Sequence, residues 1–182
     1  MSTQGHIQPH PARENLFTSK DVLALLQKRQ WLSTDPSPEH LVFCERAAAL
    51  LGPHAADLSA LAALLQLVFH YDVVQILQAV EAHAVLARYG ARDVIRQLAL
   101  FLLDPGPFNS DRFKLVVAHL KETLEVRSRD LFHPIRLALA GRIGEGELDR
   151  VILLLDEAAA LPFAVPVKSA RVRILEFCSA LD

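Results

Sequence analysis

Residues 129–142 read RDLFHPIRLALAGR, and this run sets Phe132 among the guanidinium groups of Arg129, Arg136 and Arg142. Guanidinium groups make forked hydrogen bonds to phosphate and stack on flat rings. A phenyl face accepts several kinds of nucleobase. The chemistry such a set could do is recognition of an RNA backbone with an unpaired base. Arg136 and Arg142 are the leading RNA candidates, with Arg129 and Arg171 behind them. Phe132 has a second use, because an aromatic just ahead of a short helix can staple that helix to a bundle. Packing is the expected use of the two. Glu122, Glu125, Asp130, Glu145 and Glu147 interleave with the arginines, so ordinary solvated charge is the default on chemistry alone.

Other chemistries find little support. No Gly-rich phosphate loop, HExxH segment, EF-hand pattern or Gly-x-Ser-x-Gly elbow occurs. EGEL at 145–148 brings two carboxylates near a turn, but nothing beside it supplies a reaction partner. His70 could approach His83, and His119 could approach His133, yet no Asp, Glu or Cys cluster stands at ligand spacing. His6 and His10 lack further ligands too. The expectation is a protein that is not an enzyme and carries no cofactor and no metal. Cys44 and Cys178 sit among apolar residues and read as buried free thiols.

The chain that must position these groups has 182 residues, of which 52% are hydrophobic. A chain of this length buries roughly 70% of its extended surface and needs no disulfide to hold a core. Net charge is −2, and residues 1–120 carry 10 basic and 11 acidic groups against 9 and 10 in the remainder. No basic half exists, which argues against strong non-specific nucleic-acid binding without excluding a local basic face. No signal peptide or membrane-length apolar run appears, so a cytoplasmic protein is expected.

Helical spacing dominates the organisation. After a loose proline-rich start (1–15), helices are expected from about 19, 38–50, 57–69, 72–89 and 91–103. DPGPFNSD at 104–111 is the clearest boundary, dividing an N-terminal helical subdomain (16–106) from a C-terminal one (107–182). Further helices are expected over 111–126, 134–141, 147–160 and 168–180. Pro134 fits the first turn of its helix, and Gly141 lets the chain leave it. The 72–89 helix would turn Val73, Ile76, Leu77, Val80 and Ala84 inward. The fold class is all-α, a two-part helical bundle.

The residues Leu131, Phe132, Pro134, Ile135, Arg136, Ala138, Leu139 and Gly141, followed by Gly146, Glu147 and Leu148, resemble the C-terminal anticodon-binding region of bacterial-type glutamyl-tRNA synthetases. Ala140 stands where that family usually has Thr, and Glu147 where it has Pro. The resemblance is specific over about 35 residues, 128–161. It implies a helical module that positions an anticodon stem-loop, with glutamate- or glutamine-specific tRNA as partner and Arg136, Arg142, Arg129, Arg171 and Phe132 as contacts. In that family amino-acid activation lies in a separate domain, whose His-x-Gly-His and Lys-Met-Ser-Lys-Ser type signatures are absent from this sequence. A catalytic domain in trans is therefore a further expected partner. The competing expectation is a helical protein-interaction or regulatory domain that has lost RNA binding, which near-neutral charge, Ala140 and Glu147 favour.

Overall fold

The computed structural model describes residues 14–33 and 35–182. Most of the expected loose start, including His6 and His10, lies outside the described residues. Asn15 is already anchored, its Nδ2 donating to Ala48 O at 3.0 Å.

The described residues form α1 (Ser19–Lys28), α2 (Pro38–Leu51), a 3-10 turn (Gly52–His54), α3 (Leu58–Phe69), α4 (Val73–Gln78), α5 (Val80–Leu86), α6 (Ala91–Leu102), α7 (Ser110–Leu124), α8 (Arg129–Ala140), α9 (Gly146–Ala159) and α10 (Ala170–Leu181). No strand occurs among them, and the class is all-α. Short polar side chains start many of these helices by accepting from amides that lack a partner in the first turn. Asp57 accepts from Ala60 N at 2.8 Å, Asn109 from Arg112 N at 3.0 Å and Ser169 from Val172 N at 3.2 Å. Asp72 accepts from both Val74 N and Gln75 N.

Packing centres on α8 and α9. Helices α2 and α3 lie on α9, while α5, α6, α9 and α10 all touch α8. Buried on almost every side, α8 hides Leu131 and the whole of 133–140. Leu131, Ile135 and Leu139, four residues apart, are fully buried. Each such side chain contributes about 1.5–3 kcal/mol relative to exposure. One buried cluster reaches from Val22 to Phe177 and crosses the 104–110 turn, where Phe108 is itself buried. No helix among the described residues is long and apolar enough to cross a membrane.

Two helices differ from expectation. Instead of beginning near Pro134, α8 begins at Arg129, and Pro134 lies inside it. Phe132 N already bonds Ser128 O at 3.0 Å, so a turn of helix precedes the proline. The expected 72–89 helix breaks at Ala79, whose backbone is extended at φ −70°, ψ 138°. That break lets α4 face α10 while α5 faces α8, which one straight rod could not do. Ala82 and Val85 are consequently the buried pair of α5, and Val80 and Ala84 are exposed.

Candidate nucleic-acid interface

The arginine that leads on sequence grounds faces inward. Arg136 is 7% exposed. Its Nε and Nη2 donate to the two Asp149 carboxylate oxygens at 2.8 and 2.9 Å, and Nη1 donates to Gly144 O at 2.9 Å. This forked pair clamps α8 to α9 and to the turn between them. A guanidinium with its edges so engaged has little left for a phosphate.

Arg173 is more deeply buried still, at 1% exposure. Its Nη1 donates to Leu67 O and Leu139 O at 2.9 Å, Nη2 to Val68 O at 2.6 Å and Nε to Lys168 O at 3.0 Å. The cation thereby satisfies carbonyls in the last turns of α3 and α8, where a positive charge also suits the helix dipoles. Burial pulls its pKa down to about 10. Tyr71 stacks against it, 4.7 Å from guanidinium carbon to ring centroid, and its hydroxyl donates to Ala138 O at 2.6 Å. Burial drives the Tyr71 pKa well above its ordinary value.

Beside the Arg136 clamp lies a groove of about 510 Å³, built by the 3-10 turn, α7, α8 and α9. Lys114 and Lys121 line one wall from positions two turns apart on α7, and Arg150 and His54 also line it. All four are exposed. Half-buried Phe132 lines it between two cations, with Arg136 Cζ at 4.9 Å and Lys121 Nζ at 6.0 Å from its ring centroid. Asp149 is the carboxylate among the lining residues, and Arg136 already engages it. The groove therefore offers three permanent positive charges next to an aromatic ring.

The remaining sequence candidates are scattered. Arg129 is exposed at the start of α8, and Arg142 is exposed just past its end. Their separation is about 20 Å along the axis, from the rise of an α-helix. Arg171 is exposed in the first turn of α10. Phe132 belongs to the groove, whereas Arg136 supports it from within. Sequence reasoning passed over Lys114, Lys121 and His54. The seven-residue spacing of the lysines on a capped helix was a usable signal, and His54 offered none.

On another side of α8, His133 is buried and its Nδ1 lies 2.9 Å from Arg88 Nη1. An arginine can only donate, so the ring accepts and is neutral. Burial first, then the charges of Arg88, Arg136 and Arg129, hold its pKa below the ordinary value. His70 pairs with Gln75 and His119 packs on Phe101. No group of three metal-ligating side chains occurs among the described residues.

Comparison with known proteins gives three findings. Glutamate–tRNA ligase 1 of Ehrlichia ruminantium, in strains Welgevonden and Gardel alike, is 37% identical over 62 residues, which is 34% of this chain and 14% of the ligase. The chain thus corresponds to a small part of those relatives. No solved structure matches. The family profile described as anticodon binding domain matches residues 18–159, well over half of the sequence. This chain belongs to the anticodon-binding domain family.

Proposed function

We propose that this chain is a tRNA-binding module with no chemistry of its own, acting in the cytoplasm on glutamate- or glutamine-specific tRNA. The observation that carries the reading is the groove whose lining joins Lys114, Lys121 and Arg150 to Phe132, in a chain of this family. The lysines and Arg150 would hold phosphates, and the rim of Phe132 would meet a base. Amino-acid activation would be supplied by a catalytic domain outside these residues. The exposed Arg129, Arg142 and Arg171 would add outlying phosphate contacts, while Arg136 acts by holding α9 against α8.

The test is a salt titration of the purified chain with total tRNA, followed by sequencing of what is retained. Saturable, salt-sensitive enrichment of glutamate or glutamine tRNAs is expected. The folded K114A/K121A/R150A variant should bind more weakly, with the slope of log affinity against log salt shallower by about 2, from roughly 0.7–0.9 per lost phosphate contact. Failure of the folded wild-type chain to bind tRNA at low salt would defeat the reading.

A second reading, a protein-interaction domain, is favoured by an apolar groove of about 380 Å³ lined by Val42, Phe43, Ala160 and Leu161. It predicts a partner that stays bound after nuclease treatment.

A further inference from the structure

Tyr89 is 95% exposed. A ring so completely in water contributes nothing to the core, and its surroundings set out what it could meet. It stands in the short connection from α5 to α6, between Arg88 and Gly90. Gly90 takes φ +79°, and a Cβ placed there would lie 3.3 Å from Val126 Cγ1. The connection therefore rests against the turn that leads into α8.

That turn carries Arg127, and Arg129 follows it as the first residue of α8; both are exposed. Two non-glycine residues within it, Glu125 and Ser128, are held at φ 55° and φ 53°, so the backbone that presents these arginines is sharply bent. Arg88 is fixed at its tip by His133 Nδ1. That bond ties the Arg88–Gly90 connection to α8, whose first residue is Arg129. Glu125 lies in the turn, and Asp130 lies in the first turn of α8, where a carboxylate suits the helix N-terminus. The connection that bears Arg88 and Tyr89 thus packs beside the segment that bears Arg127 and Arg129, where α5, α6 and α8 meet.

We infer that Tyr89 is a stacking platform for one unpaired nucleobase, with Arg88 and Arg129 holding the phosphates on either side of it. The inference rests on the RNA-binding reading and assigns that RNA a single-stranded contact away from the Lys114–Arg150 groove. Nucleotides alternate a π face with an anion, and the patch alternates an aromatic face with cations. A protein partner would call for apolar surface around the ring. Apart from Tyr89 itself, no large hydrophobic residue is exposed in 87–90 or 125–130.

The experiment compares wild type, Y89A, Y89W and R88A/R129A for binding to tRNA, to an unstructured RNA oligonucleotide and to a short RNA duplex. Loss of one base stack by alanine substitution should weaken tRNA and oligonucleotide binding roughly 5- to 150-fold. The salt slope should stay the same, because the ring carries no charge. Y89W should restore affinity, and its indole emission should be quenched on binding. R88A/R129A should flatten the salt slope instead, and duplex binding should be indifferent to residue 89. Wild-type RNA affinity in folded Y89A, while K114A/K121A/R150A has lost it, would overturn the stacking platform with the RNA reading intact and give the ring to a protein contact. Absence of RNA binding by wild type would overturn both.

Discussion

Arg136 and Arg142 lie six residues apart in one basic-aromatic run, yet their environments divide them. Arg136 shares a forked pair with Asp149 and a third bond with Gly144 O, whereas Arg142 is exposed. Truncating one partner of a buried pair leaves the other desolvated and unpaired. Arg136→Ala is therefore expected to cost about 3 kcal/mol or more in a urea titration, and Arg142→Ala less than about 0.5 kcal/mol. Equal stability of the two variants would mean that the Asp149 clamp does not form. Residue type was legible in the run; the side of the helix that found a carboxylate was not. Asp149 stands thirteen positions further on, and its direction depends on how α9 folds back.

At the scale of elements, local signals were sufficient for most helices. Capping residues such as Asp57, Asp72, Asn109 and Ser169 announce starts, and Gly141 at φ +84° marks the end of α8. The break between α4 and α5 escaped because Ala79 is a good helix former with no side chain that favours a turn. Its extended backbone starts α5 without any side-chain cap. Ala79→Ser is accordingly expected to stabilise the protein by about 0.5–1 kcal/mol, raising Tm by about 1–4 °C for a chain of this size. A lowered Tm in a thermal melt would count against α5 starting there. The groove also belongs to this scale. Lys114, Phe132 and Arg150 come from three successive helices, and only the packing of those helices makes them neighbours.

For the whole molecule, the expected boundary near 107 is a turn across which helices pack. Helix α6 lies on α7, α8 and α10, and α3 lies on α9. Shared burial of this extent couples the two sides. Trp31 emission, which reports a ring stacked on Phe69 at 4.8 Å, and far-UV helicity should therefore follow a single coincident unfolding transition. A transition of Trp31 at clearly lower denaturant than the loss of helicity would show two units unfolding separately.

By itself the sequence determined the all-α class, most helix boundaries, and the likeness over 128–161 that the family match extends to 18–159. Periodicity, caps and breakers act within a few residues, so they can be read along a line. Tertiary structure alone decided which cations face water. Arg173, in a helix beyond the matched segment, is drawn inside because carbonyls of Leu67 and Leu139, 106 and 34 positions away, converge on it. A buried charge persists only where such partners meet it, and partners that distant are assembled by packing.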